Sequence, residues 1–305
     1  MRTGFVLPQV GPAASPQAIV HVAQRAEALG YDSVWVTERL LYPLKPQTPY
    51  PATPDGSLPE AYKTVLDPLQ TLAFVAAQTK RIAVGTSVLD APFYNPVMLA
   101  RSLTTLDVLS GGRLRVGLGQ GWSKDEYDAV GIVPRGLGRR ADEFIQVLKT
   151  IWTTDPVEFH GRYFQVPRSI IQPKPVQKPH PPIYLAAYSP SALKRAATLA
   201  NGWNPAGVPL DGMKQMMAGL KEMAKAAGRD SASVEVVVRA NLSIAQAPLG
   251  KDRWIFSGTL EEIKADVAAV RTLGAHEVFF DAAFSPGVRT ENDFLRILEE
   301  IRRVV

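Results

Sequence analysis

Residues 4–37 read GFVLPQVGPAASPQAIVHVAQRAEALGYDSVWVT, and they hold one full period of the pattern that decides the fold. Gly4–Leu7 is a short apolar strand. Ser15 followed by Pro16 is an N-cap with proline at the first helical position, where the missing N–H would have had no partner. Ile19, Val22, Ala23, Ala26 and Leu29 then recur at helical spacing. Gly30 stands where a left-handed C-terminal cap is wanted, and the strand Ser33–Thr37 follows within a few residues. Strand, helix and an immediate return to strand make one unit of a parallel sheet.

The same unit recurs along the chain. Further strands are predicted at Ile82–Val88, Leu114–Leu118, Ile183–Ala187, Gly202–Asn204, Val234–Ala240 and Glu277–Asp281, with helical patterns beginning near Pro16, Asp67, Asn95, Arg139, Ser191, Met213, Thr259 and Glu291. Thr259 and Glu262 form a capping box ahead of Ile263, Val267, Val270 and Leu273. Eight such units are the number that closes a (β/α)8 barrel. The expected fold class is therefore α/β, a TIM barrel in one domain over residues 1–305, with insertions after strand 2, before strand 5 and after strand 7. A doubly wound sheet is the alternative; candidate residues spread over four strand ends favour the barrel, whose chemistry sits at the C-terminal ends of its strands.

Composition narrows the function. Of the 305 residues, 46% are hydrophobic and 21% charged, as in an ordinary soluble globular protein. The net charge of +5 is scattered, with short clusters only at Arg139–Arg140 and Arg302–Arg303, so no nucleic-acid partner is expected. There is no cysteine, which removes disulfides and thiolate chemistry. His21, His160, His180 and His276 lie far apart without ligand spacing, so no metal is expected. His276, ahead of strand 8, reads as structural. No apolar run is long enough for a membrane span and the N-terminus lacks the apolar core of a leader, so a cytoplasmic location is expected.

The long connections have their own chemistry. Glu38–Leu66 carries Pro43, Pro46, Pro49, Pro51, Pro54 and Pro59 with Tyr42 and Tyr50 between them, which reads as an ordered loop and not a helix. Asn241–Gly258 carries Arg253, Trp254 and Phe256. Both follow strands on the face where barrels bind substrates, as lids or pocket walls. Between helix 4 and strand 5, Val157–Phe159 and Tyr163–Val166 read as a hairpin, and QPKPVQKPHPP as a connector lying along the surface.

Four strand ends stand out: Thr37-Glu38-Arg39, Gly85-Thr86-Ser87-Val88, Gly117-Leu118-Gly119-Gln120-Gly121-Trp122 and Ala186-Ala187-Tyr188-Ser189. The third lacks the dinucleotide fingerprint, because Trp122 stands where its third glycine belongs. It suits a strand end that lets a flat ring approach the backbone. Tyr188-Ser189-Pro190-Ser191 opens a helix with Ser191 as a candidate cap; hydroxyls beside free helical N–H groups suit a phosphate, or the serines serve only as caps. No nucleophile-elbow motif is present.

The run GTSVLDAPFYNPVMLARSLTTLDVLSGGRLRVGLGQGW resembles the luciferase-like monooxygenase superfamily, as do SVWVTERL, FHGRYFQV, KPVQKPHPPIYLAAYS and ANGWNP. Within it the chain looks most like the branch using the deazaflavin F420. The resemblance implies an oxidoreductase that moves a hydride between F420 and a small organic substrate, with an FMN-dependent monooxygenase on the same barrel as the alternative and a non-catalytic flavin- or F420-binding protein as a third reading. It places the ring against a bulge in strand 3, where Ser87–Val88 matches a non-proline cis peptide. Gln120, Gly121 and Trp122 match residues bordering the ring and its tail, and Tyr188 and Ser189 match those that hold the cofactor phosphate. After strand 2 the family has an acidic residue and then His. Here the pair is Glu38-Arg39, and Arg, always protonated, is no ordinary proton carrier. Glu38 is then a proton carrier or an orienting partner, and Arg39 pins an anionic ring or substrate or faces away in a salt bridge. A homodimer is the usual state of such relatives.

Overall fold

The computed structural model describes residues 1–53, 55–250 and 252–305; Pro54 of the proline-rich loop lies outside the described residues. In chain order the repeating elements are β1 (Arg2–Val6), α1 (Pro16–Ala28), β2 (Ser33–Val36), α2 (Pro68–Gln78), β3 (Ala83–Thr86), α3 (Pro96–Leu109), β4 (Leu114–Gly119), α4 (Leu137–Thr153), β5 (Ile183–Leu185), α5 (Pro190–Leu199), β6 (Gly202–Trp203), α6 (Leu210–Ala226), β7 (Glu235–Asn241), α7 (Leu260–Thr272), β8 (Glu277–Asp281) and α8 (Glu291–Val304). The eight strands pair in parallel in sequence order, β8 returns to β1, and β3 pairs with β4. This is a closed (β/α)8 TIM barrel.

The helices begin where the sequence caps them. Ser15 accepts from the Ala18 amide at 3.1 Å, Asp67 from Gln70 at 2.9 Å and Asn95 from Val97 at 2.9 Å. Thr259 with Glu262, and Thr290 with Asp293, close reciprocal capping boxes. Helix α6 starts at Leu210, three residues ahead of the apolar Met213 that marks its buried face, because Pro209 at the cap leaves no side-chain signal. The hairpin is Val157–His160 against Gln165–Ser169; its first strand runs one residue past Phe159, and its second begins two residues after Tyr163 and ends three after Val166. The loop after β7 is not wholly irregular, for Ser243–Ile244 pairs with Ser257–Gly258.

Inside the barrel, side chains stack in layers. At the N-terminal end, Arg2 reaches Glu235 at 2.7 Å and Glu277 at 3.1 Å, and Arg115 also pairs with Glu277. Tyr184 donates to Glu235 at 2.7 Å. Glu277, the fully buried member, thus faces two cations, as a charge in an interior requires. Above them Trp35 fills the bore, stacked on Phe279 at 4.5 Å and donating to Ser33 at 2.7 Å. Gly85 faces this ring: a methyl group there would lie 2.5 Å from it. His276 accepts from the Val236 amide at 3.1 Å on the rear face, a structural position. Among the described residues no helix is long and apolar enough to cross a membrane.

Candidate active site

The C-terminal end of β3 organises the site. After Thr86 the ladder is interrupted, the Ser87–Val88 peptide is cis, and pairing resumes as Leu89–Asp90 against Leu118–Gly119 of β4. The Thr86 hydroxyl bridges the gap, donating to the Gly117 carbonyl and accepting from its amide, both at 2.9 Å. Gly117 has no room for a side chain, since a Cβ would fall 1.9 Å from the Thr86 carbonyl oxygen. Ser87 is then held from two sides. Its hydroxyl donates to Asn204 Oδ1 at 2.8 Å, and its carbonyl accepts from Arg239 Nη1 at 2.8 Å. Asn204 is fixed in turn by donating to the Val237 carbonyl at 2.7 Å. Arg239 spends its other donors on the fully buried Asp281, at 2.5 and 3.1 Å.

Glu38, at the end of β2, is buried beside this bulge. It accepts from the Tyr94 hydroxyl and, at 2.6 Å, from the Asp90 amide. Burial pushes its carboxyl up to about 7, and the two hydrogen bonds only partly oppose that. Burial also pushes Asp90 up to about 8, assisted by the charges of Glu38 and Glu126. Glu126 is raised as well, by burial that Arg39 only partly offsets. Glu126 pairs with the Arg39 guanidinium, Asp90 feels its charge, Glu38 lies beside Asp90, and burial raises all three carboxyls.

Arg39 lies under the proline-rich loop. Its guanidinium carbon is 4.7 Å from the Trp122 ring and 5.3 Å from the Tyr62 ring, and Nη1 is 3.2 Å from Glu126 Oε2. Tyr50 packs on Trp122 at 5.4 Å and on Tyr62 at 5.8 Å, and Tyr62 on Phe284 at 4.9 Å. The Tyr50 and Tyr62 hydroxyls lie 3.2 Å apart. The loop after β2 is therefore an aromatic cover over the barrel mouth. In the loop after β7, Trp254 is exposed and among the described residues stacks on none of these rings.

The β4 end supplies a bare backbone. A methyl group at Gly119 would fall 2.6 Å from Val88 Cγ2 and 2.8 Å from Asp90 Oδ1, and Gly121 adopts φ +75° against the Tyr127 ring. Beyond Gln120 a narrow open cleft runs between the ends of β4 and β5 and helices α4 and α5, with Gln120, Ala186, Ala192 and Arg195 among its walls. At its α5 end it is Ser189, not Ser191, that caps the helix, accepting from Ala192 at 3.3 Å. The chain turns into the helix one residue ahead of Pro190, so Ser191 already lies within the first turn. Tyr188 is exposed, and its hydroxyl reaches the Ala206 carbonyl at 3.3 Å.

The structure thus brings Glu38, Arg39, Ser87, Val88, Gly121 and Trp122 to one mouth. Gln120 stands between that mouth and the cleft, and Tyr188 and Ser189 stand at the head of α5. Sequence reasoning missed Asp90, Tyr94, Glu126, Asn204, Arg239 and Asp281. For Arg239 the signal was present, a single cation within the apolar strand VVVRAN. Among the described residues no cluster of His, Asp and Glu has the shape of a metal site.

A family model described as luciferase-like monooxygenase matches residues 1–249. An uncharacterised protein of Mycobacterium tuberculosis is 33% identical over 265 residues, 86% of this chain and 90% of the relative. An F420-dependent glucose-6-phosphate dehydrogenase of Amycolatopsis mediterranei is 34% identical over 235 residues (75% of this chain, 65% of that one), and an FMNH2-dependent dimethylsulfone monooxygenase of Pseudomonas putida is 32% identical over 213 residues (69% and 56%). Among solved structures, the monooxygenase RslO1 from Streptomyces bottropensis superposes with a TM-score of 0.83 at 22% identity, covering 100% of this chain and 98% of its own. An F420-dependent secondary alcohol dehydrogenase in complex with an F420–acetone adduct gives 0.78 at 19% identity, covering 98% of each. At those identities the two structures speak to the fold.

Proposed function

The chain belongs to the luciferase-like monooxygenase family, and from that premise we propose that it is an oxidoreductase using the deazaflavin F420 to exchange a hydride with a small organic substrate. Relatives named for F420 and for FMNH2 both lie at similar identity, so the family alone supports a flavin or deazaflavin cofactor. The observation that carries the finer reading is Glu38. Moving a hydride to or from a carbonyl, imine or alcohol requires a proton to move as well, and a carboxyl poised near 7 at a strand end beside the bulge is suited to that task. The position where the family has His is held by Arg39, which cannot do it.

The residues present fit such a cofactor. Asn241 Oδ1, at the C-terminal end of β7, is buried without a partner and leaves an acceptor for such a group, while Gly119 and Gly121 let Val88, Asp90 and Tyr127 pack against the strand end that would border its ring. In this reading Ser87, Val88, Gln120, Gly121 and Trp122 border the ring, while Tyr188 and Ser189 hold its phosphate at the head of α5. When bound, the group supplies the two-electron chemistry. The chain's own residues do the rest. Tyr94 and the Asp90 amide fix the two oxygens of Glu38, Arg239 and Asn204 hold Ser87 in place, and the aromatic cover keeps water out.

Parallel fluorescence titrations of the purified protein with F420 and with FMN test the assignment. Micromolar or tighter binding of F420 with negligible binding of FMN is the expected result. Preference for FMN would move the protein to the monooxygenase reading, which the dimethylsulfone monooxygenase relative favours. Binding of neither would remove the enzyme assignment.

We also propose that the protein acts in the cytoplasm as a homodimer. Met98 and Leu109 are exposed on α3, and Phe74 on the adjoining α2. Met98 and Leu109 lie close to three helical turns apart, on one side of the helix. Light scattering is expected to return twice the chain mass of 33.2 kDa; a mass of one chain at micromolar concentration would exclude the dimer.

A further inference from the structure

The reading above gives Arg39 no task, yet the residue is set in place with care. Its side chain is 4% exposed, over two aromatic rings, with Nη1 turned toward Glu126. Nε and Nη2 are buried and have no hydrogen-bond partner. Those two atoms are not a random pair. In a guanidinium Nη1 lies on the same side as Cδ, so Nε–H and one N–H of Nη2 point the same way along a single edge. They are the two prongs of the fork that binds a carboxylate bidentately. A buried charged donor left unpaired is strongly unfavourable, so such an edge calls for an acceptor.

We propose that this edge is a substrate-recognition element and that the substrate carries a carboxylate, bound side-on to Nε and Nη2 of Arg39. The inference rests on the reading of the barrel mouth as the substrate site. The flat guanidinium, held over the Trp122 and Tyr62 rings, keeps both donors in one plane. Two oxygens in one plane match that geometry better than a tetrahedral oxyanion does. Glu126 remains on the opposite corner at Nη1, so Arg39 serves as a bridge between a fixed carboxylate and an incoming one. Glu38 and Asp90, which hold protons near neutral pH, leave the cation free to attract it. Arg39 in this role fixes the orientation of the substrate and so its specificity, while proton transfer stays with Glu38.

Calorimetric titration with acetate and benzoate, against acetamide and benzamide as neutral isosteres, tests this. At least one carboxylate is expected to bind the wild-type protein roughly tenfold or more tightly than its amide. Arg39→Lys, which keeps the charge and loses the fork, is expected to abolish most of that preference, with near-ultraviolet circular dichroism confirming an unchanged fold. Equal binding of acid and amide, no binding of either acid, or full retention of the preference in Arg39→Lys would each overturn the proposal. The wild-type comparison stands even if the variant fails to fold. F420 and FMN titrated into the same samples separate the two readings. Cofactor binding without carboxylate preference removes the fork alone, and carboxylate preference without cofactor binding removes the cofactor assignment alone.

Discussion

Replacing Glu38 with Gln is expected to lower turnover of the F420-loaded protein with a carbonyl acceptor by roughly 10²- to 10⁴-fold, the range that a positioned acid–base group supplies. Gln fills the same space and keeps one oxygen to accept from the Asp90 amide, while its NH2 can donate to the Tyr94 hydroxyl oxygen, so cofactor affinity is expected to stay within a few-fold. The limb of the wild-type pH–rate profile near 7 is expected to disappear in the variant. A second readout needs no substrate. The Glu38 carboxyl is shifted from 4.5 to about 7 by folding, so between those values the native state binds more protons than the unfolded state. The stability slope there is negative: the favourable contribution is complete below about pH 4.5 and is lost as pH rises through 7. A shift of this size corresponds to about 3 kcal/mol. Denaturant titrations at pH 5 and pH 8 are therefore expected to show wild type losing stability with pH and Glu38→Gln losing less. Asp90, shifted to about 8, keeps part of the slope in both proteins. An unchanged pH–rate profile in Glu38→Gln would sink the proton-carrier role, and an unchanged stability slope would show that Glu38 is ionised throughout.

Why Glu38 and Arg39 diverge in role cannot be read from their adjacency. The barrel was legible because its signals are local: Ser15–Pro16, Asp67–Pro68, Asn95–Pro96 and the Thr259–Glu262 box each announce a helix start within four residues. The bulge was legible only through resemblance, on Ser87–Val88. What surrounds Arg39 comes from elsewhere in the chain, with Tyr62 in the proline-rich loop, Trp122 after β4 and Glu126 in the short helix Lys124–Ala129. No periodicity links those positions; the closed barrel brings them together. The Ser189 cap was misplaced by two residues for a smaller reason, that both serines flank Pro190 and either spacing satisfies the capping pattern. Asp90 and Tyr94 were hidden in the same way as Arg39. Each looks like an ordinary loop residue until β3 breaks and turns them toward Glu38.

The largest loss of stability is expected from Arg239→Met. Arg239 is the only described partner to hold both the Ser87 carbonyl and the buried Asp281, and methionine can do neither. Removing one member of a buried ion pair costs about 3–5 kcal/mol, because the remaining carboxylate is left without its counter-charge. A buried Ser87 carbonyl that loses its donor adds about 1–3 kcal/mol. Urea unfolding is expected to show a midpoint lowered accordingly, with an unchanged slope if the unfolded state is unaffected. Arg239→Lys is expected to recover only part of this, since a single ammonium does not reproduce the fork that reaches both groups. The double variant Arg239→Met with Asp281→Asn is expected to be more stable than Arg239→Met alone, because the orphaned charge is gone. That sign is the decisive one. If the two substitutions add without coupling, Arg239 acts on the fold independently of Asp281. If they couple and the double variant binds F420 more weakly than wild type, then the hold on Ser87 is what the site needs from Arg239, and Asp281 serves to neutralise the cation that provides it.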